Sequence, residues 1–543
     1  MNEIKSELSR ERFVVPIHPL LFAAFPVLSL YVHNIDQVPI GQIVRPILYA
    51  LASTLALWLI LVLLFRHVRK AAIGASAIVV SVLSYGHFAH VVPSAYEWLL
   101  GPLGIIAIAC LLIFLVITKL PLLDATFVLN IAALFLFGSA SWSIGSAYWR
   151  ASRPGDHSGE KVPMSVADNG DPAHVARSAR VRGTVTPETA KLPDVYYIIL
   201  DAYGRADTLK AFYGYDNTPF IHELEKRGFY VPSKSRANYD ETPLCLASSL
   251  NFSYLDDLAR RVGPAGSLEA CREKLDDNAV AARLSKLGFR YVSIGSGVGQ
   301  VKVETADVEL NNRPDLPVFD EETVNPVDLK PSSPLFRVKY DQHRERLLGV
   351  FDSLDMVATL PYKKFVFAHL LAPHPPFVFG PNGEPVYSRG SISFADGSWL
   401  VSAATREWYM SHYIAQLQYV NKRTLQALDA ILKQSKTPPI IVVQGDHGSR
   451  MNLDWESLAR TDVREPFSIL NAYYVPKNVR RHLYETISPV NTFRIILSDV
   501  FHEKLGLLPD RSYYSTADEP YGFVDVTSQT NKPLVGPNVV VKP

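Results

Sequence analysis

Pro439–Arg450 reads PIIVVQGDHGSR, a β-branched run that stops abruptly at Asp446-His447-Gly448. A continuous apolar run ended by turn residues is the pattern of a parallel strand buried on both faces. The open end of such a strand is where α/β sheets carry their chemistry. An adjacent carboxylate and imidazole can reach one cation when the backbone turns sharply, and Gly448 permits that turn. Taken alone, the triplet fits a solvated loop equally well.

The same strand, loop and helix alternation recurs on either side. Arg406–Gln434 leads into the strand with Ile414, Leu417, Val420, Leu425, Leu428 and Ile431 at helical spacing. VYYIIL (Val195–Leu200) predicts a buried strand ending at Asp201, and Pro219–Arg227 a helix before a strand-like Gly228–Val231. Leu244–Leu250 predicts a short helix, FRYVSIGSG (Phe289–Gly297) a strand into a glycine turn, and KFVFAHLL (Lys364–Leu371) a further strand. This alternation predicts an α/β domain with a mainly parallel sheet flanked by helices.

The chain of 543 residues exceeds a single core, and its 54 basic and 53 acidic residues balance, which gives no support to a nucleic-acid partner. Nearly all the long uncharged runs fall in the first 150 positions. Five of them, about Ile17–Val32, Ile47–Phe65, Ala71–Val92, Gly101–Thr118 and Ala125–Ile144, predict a bundle of five transmembrane helices. Lys5, Arg10, Arg12, Arg66, Arg69, Lys70 and Lys119 flank one side of these runs, whereas Asp36 and Glu97 lie in the loops of the other, despite Arg45. The excess of basic residues puts the N-terminus in the cytoplasm, so an odd number of spans sends everything after Ile144 to the outside. Tyr148 and Trp149 suit the interface at that exit, while His87 and His90 either line a headgroup site or merely tolerate a wet position. The expected organisation is a membrane domain over 1–149, a flexible Pro/Gly/Ser/Arg-rich linker over 150–192, and an extracytoplasmic catalytic domain over 193–543.

Candidate chemistry gathers at strand ends and turns. Asp201 closes one strand in ILDAYGRAD, Thr242 opens a helix in ANYDETPLCLASSLN, His374 follows another strand in AHLLAPHPPFVF, and Asp446 and His447 close the last. Two carboxylates, an imidazole and a hydroxyl at one sheet edge suit a divalent cation. A bound cation lowers the pKa of a coordinated hydroxyl and so turns a threonine into a nucleophile. The helix N-terminus behind Thr242 favours an anionic group under attack, which fits phosphoryl or sulfuryl transfer. Arg205 and Arg450, beside the ligand positions, are candidates for contact with an anionic substrate, whereas His369 lies within its strand and is expected to be a packed residue.

At this point the chain resembles the alkaline phosphatase superfamily, which includes the sulfatases. ILDAYGRAD, the Thr242 turn, the HPPF segment and GDHG occur in the superfamily's order. The span layout is similar to its membrane-bound branch of lipoteichoic acid synthase and lipid A phosphoethanolamine transferases. The resemblance implies that Asp201, Thr242, Asp446 and His447 hold one divalent metal, Zn or Mn ahead of Mg. It implies that Thr242 is the transiently phosphorylated nucleophile and that His374 binds substrate phosphate or protonates the leaving group. Two departures stand out: Asp201 occupies a place where the transferase branch usually has Glu, and no Cys/Ser-x-Pro-x-Arg run exists for sulfatase chemistry. His482, in VRRHLYE, is the candidate for a second metal site, but its surroundings suggest a solvated helix, so one metal is expected.

The expected activity is transfer of phosphoethanolamine or phosphoglycerol from a membrane phospholipid to an envelope glycan or lipid, at the outer face of the inner, cytoplasmic membrane. The same site with water as acceptor would be a phosphodiesterase or phosphatase, and a silent lipid sensor or scaffold is the non-enzymatic alternative. Cys245 and Cys271 are the two cysteines of the outer domain, expected either as a disulfide or as two buried thiols.

Overall fold

The structure is a computed structural model that describes residues 15–33, 43–83, 97–120, 122–151, 191–297, 299–311, 334–387, 394–402 and 404–534. These fall into two compact units, the helices up to Ala151 and the chain from Lys191 onward. His87, His90 and most of the expected linker lie outside the described residues.

In the first unit, helices His18–His33, Val44–Phe65, Val68–Leu83, Glu97–Ile117 and Leu123–Ala151 fall on the five apolar runs. Leu59, Ile60, Leu63 and Leu64 on one, and Ile105, Ile106 and Ile113 on another, stay exposed, a surface that water does not favour. Among the described residues two helices, Val44–Phe65 and Leu123–Ser146, are long and apolar enough to cross a membrane, and with 11% and 17% of those windows buried neither is a core helix. The expectation of five spans is corrected to that extent. His18–Ser29 and Gly101–Ile117 are apolar but shorter than the ~20 residues needed for a ~30 Å hydrocarbon core, and the third helix is described only to Leu83. Asn130 ties the first helix to the last: its Oδ1 accepts the Ile17 and His18 N–H groups at 3.0 Å, and its Nδ2 donates to the Val15 carbonyl at 2.9 Å.

The second unit is built on strands β1 (Val195–Leu200), β2 (Arg290–Ile294), β3 (Val308–Leu310), β4 (Lys364–Leu370), β5 (Ile440–Gln444) and β6 (Asn471–Tyr474). They form one sheet in the order β3-β2-β4-β1-β5-β6. All neighbours are parallel except β5 and β6. The short β3 and β6 carry too few residues to show a pattern in sequence. Gly228–Val231 forms no strand; Tyr230 makes a single bridge to Tyr473. The helix Arg406–Gln434 has the expected bounds and packs against Pro334–Val357, which in turn packs on β2 and β4.

Every residue of β1, β4 and β5 is buried, so both faces of the sheet's centre are covered. Side chains alternate across a strand. Val195, Tyr197 and Ile199, with Phe365 and Phe367, and Ile440 and Val442, share one core cluster with Leu246, Leu250 and Phe493. Ile199 lies opposite both His369 and Gln444. Counting on by two along each strand puts Asp201, His369 and Asp446 on that same face, where helix Thr242–Leu250 packs.

Candidate metal centre

Three adjacent strands deliver the cluster because β4, β1 and β5 run parallel and end together. The sheet order, not chain order, makes Asp201, His369 and Asp446 neighbours, with ligand atoms that all lie within 4.8 Å of one another. His369 Nε2 is 3.2 Å from Asp201 Oδ2. His447 Nε2 is 3.3 Å from Asp201 Oδ1 and 3.4 Å from Asp446 Oδ2. The second Asp446 oxygen accepts the N–H of Ala202, which is held at φ 62° immediately after Asp201. A non-glycine residue there is strained backbone, and such strain gathers at functional sites.

Asp201 Oδ1, Asp446 Oδ2 and His369 Nε2 are buried and have no hydrogen-bond partner among the described residues. Buried polar atoms are normally satisfied, and two carboxylates facing imidazole nitrogens in a dry pocket repel unless something positive lies between them. His447 Nδ1–H donates to the Gly448 carbonyl at 2.8 Å, which leaves Nε2 as the ligand atom. The donor set, two carboxylates and two imidazoles with orphaned atoms converging, fits a divalent ion such as zinc.

Thr242 Oγ1 is 3.1 Å from His447 Nε2 and therefore beside the cluster. Thr242 is the first residue of its helix rather than the cap: Glu241 precedes it in extended conformation and makes no side-chain capping bond. The threonine hydroxyl is thus not spent on the helix. Gly448 serves by close approach rather than by a left-handed turn, since a Cβ there would stand 2.2 Å from the Glu465 carbonyl oxygen.

Beside this cluster stands a second group, His374, Asp396 and Arg450, in which one carboxylate meets two cations. His374 Nε2 is 3.1 Å and Arg450 Nη1 2.9 Å from the same Asp396 oxygen. Arg450 Nη2 donates to the Asp240 carbonyl, and its guanidinium lies 4.9 Å from the Trp455 ring centre. Burial would lower the His374 imidazole, but the charge of Asp201 and the bond to Asp396 push it up to about 9. Burial would likewise raise Asp201, yet the charge of His374 and the nearby His369 and His447 hold it well below the usual carboxylate range. Burial also opposes ionisation of Asp396, and Arg450 and His374 outweigh it.

The structure brings together Asp201, Thr242, Asp446 and His447, with His374 adjoining. Arg205 is not among them: it forms a bidentate pair with Asp207 at 2.7 and 2.9 Å and donates to the Ser235 carbonyl. Arg450 is buried and engaged with Asp396 and Asp240, so it braces His374 rather than offering a free fork to substrate. His369, expected as packing, faces the cluster instead. A histidine two residues beyond Phe367 in a fully buried strand was the available signal. Asp396 had none, since it lies in a loop before the short turn Gly397–Trp399. Cys245 and Cys271 are free thiols, which resolves the disulfide question. Cys245 Sγ donates to the Tyr239 carbonyl at 3.1 Å, and Tyr521 OH donates to Cys271 Sγ at 3.3 Å. His482 is half-exposed and pairs with Asp499 at 2.7 Å.

No family model matches the chain, and no curated protein does. Solved structures do. The chain is similar to phosphoethanolamine transferases and sulfatases. The C-terminal periplasmic domain of EcEptC from Escherichia coli, in complex with Zn, matches at 11% identity and a TM-score of 0.40, over 64% of this chain and 98% of that one. Integral membrane lipooligosaccharide phosphoethanolamine transferase A from Neisseria meningitidis matches at 13% identity and a TM-score of 0.37, over 89% of this chain and 94% of that one. BT1596, a 2-O GAG sulfatase, matches at 13% identity and a TM-score of 0.37, over 60% of this chain and 78% of that one. At these identities and TM-scores no residue role passes from them to this chain.

Proposed function

We propose that this chain is a membrane-anchored, metal-dependent phosphotransferase. It moves a phosphoethanolamine or phosphoglycerol group from a membrane phospholipid, through Thr242, to a hydroxyl of an envelope glycan or lipid. The observation that carries the proposal is the trio of orphaned, buried ligand atoms on Asp201, His369 and Asp446, with His447 and the Thr242 hydroxyl at their edge. A divalent ion held by Asp201, Asp446, His447 and Thr242 would lower the pKa of the threonine hydroxyl and offset the charge of a phosphodiester.

The chain's own residues do the rest. The Thr242 oxygen attacks phosphorus, the P–O bond to diacylglycerol breaks, and the group remains as a phosphodiester on Thr242. The positive end of the dipole at the start of helix Thr242–Leu250 favours the anion during attack. His374, 3.1 Å from the Asp396 carboxylate, gives its proton to the departing glycerol oxygen. In the second half an acceptor hydroxyl gives its proton to His374, attacks the same phosphorus and releases Thr242.

We take all five N-terminal helices to cross the membrane; the basic residues that flank them then put the N-terminus in the cytoplasm and the catalytic unit outside the inner membrane. Anchoring in the bilayer that holds the donor spares a search through solution. The test is mass spectrometry of the Thr242 peptide after the purified protein meets native phospholipids. An adduct of phosphoethanolamine or phosphoglycerol mass is expected, and an unmodified peptide together with undiminished transfer by Thr242→Ala would refute the proposal. Release of the group to water when acceptor glycan is present would mark a hydrolase.

A further inference from the structure

His369 has two ring nitrogens and two neighbours. Nε2 faces Asp201 at 3.2 Å without a hydrogen bond, while Nδ1 stands 2.8 Å from the hydroxyl oxygen of Ser296. Ser296 is buried in the turn after β2, the strand next to β4, and the serine reaches the histidine because the two strands end side by side. A hydroxyl that takes the Nδ1 proton fixes the tautomer, turns the Nε2 lone pair toward the cluster and locks the ring plane. Both groups are buried. Behind them lies a cavity of about 20 Å³ lined by Ser293, Ser296, Lys302, Asn311 and His369, with room for one methyl or one water.

We infer that Ser296 is a positioning residue for the metal centre, acting through His369, and that His369 is a further ligand of the ion. The inference rests on the metal site proposed above. It assigns the centre a ligand from β4 in addition to those from β1, β5 and the Thr242 helix. It also accounts for a buried imidazole nitrogen that faces Asp201 at 3.2 Å without a hydrogen bond.

The test measures Zn²⁺ affinity of the detergent-solubilised full chain by competition with a chromophoric chelator. Asp201→Asn serves as the control: if it binds as well as wild type, the metal site itself is misassigned, independently of Ser296. With that control weakened, Ser296→Ala is expected to lose roughly 10- to 100-fold in affinity, the usual cost of removing a partner behind a metal-bound histidine. Ser296→Thr keeps the hydroxyl, fits its methyl into the cavity, and should stay within about 3-fold of wild type. A purely structural serine would show loss in the melting temperature of the metal-free protein instead, with Zn²⁺ affinity unchanged. Ser296→Ala binding at wild-type affinity, or Ala and Thr variants falling equally, overturns the inference. Should the alanine variant fail to fold, His369→Gln decides: it removes the imidazole nitrogen while keeping a polar side chain, and wild-type affinity in it also overturns the inference.

Discussion

Two clusters of charged side chains share the floor of this site and solve burial in opposite ways. In the group His374–Asp396–Arg450, one carboxylate oxygen meets both cations at 3.1 and 2.9 Å, and Arg450 Nε is the single side-chain atom of the group left without a hydrogen-bond partner among the described residues. In the group Asp201–His369–Asp446–His447, ligand atoms face one another and three of them have no hydrogen-bond partner among the described residues. A closed ion-pair cluster in a dry interior is finished as it stands. An open one is finished only by something that arrives. The difference separates scaffold from chemistry where burial alone cannot, since both groups are equally enclosed.

The sharpest way to break the comparison is to remove the hydroxyl at its boundary. Thr242→Ala is expected to cut group transfer by more than about 10³-fold while Zn²⁺ binding persists through the remaining ligands, measured as labelled phospholipid converted. Next, Asp396→Ala leaves two buried cations uncompensated and is expected to cost about 3–5 kcal/mol of stability, read from denaturant unfolding. A variant as stable as wild type would mean the closed cluster is not closed.

The open cluster predicts that metal adds stability. Zn²⁺ at about 1,000 times its Kd should raise stability by about 4 kcal/mol over chelator-treated protein, visible as a concentration-dependent melting temperature. A smaller effect concerns pH in the chelator-treated protein. His374 titrates at about 9 in the folded chain against 6.5 for a free histidine, so its imidazolium stabilises the fold fully below pH 6.5, and that contribution fades as pH rises toward 9. The melting temperature should fall across that window, and His374→Gln should flatten the slope. Least of all is the effect of reductant: with both cysteines free, dithiothreitol should leave the melting temperature unchanged.

The two clusters also differed in how much of them could be seen beforehand. Asp201 and Asp446-His447 announced themselves because each ends an apolar run, and a polar residue at the end of a buried strand has few bland uses. Thr242 was legible as a helix start, though its hydroxyl proved free of any capping role. His369 was hidden by a correct generality, that histidines inside apolar strands usually pack. The alternation Phe365, Phe367, His369 would have exposed it once the core face was known. Asp396 and Arg450 were opaque as a pair, because their meeting depends on a loop whose path no local pattern sets. The five apolar runs did become five helices, but length and composition qualify two of them as spans.

What the sequence determined by itself was the inventory: apolar strands long enough to bury, chemical groups at their ends, and an apolar N-terminal portion set apart from a mixed-composition remainder. Those features are local and follow from hydrophobic periodicity and chain stiffness. Tertiary structure alone decided which ends meet. β1 lies between β4 and β5, far apart in the chain, and β2 brings Ser296 behind His369. Such long-range pairing is settled by packing the whole sheet at once, because each strand's partner is chosen by the faces and helices of all the others.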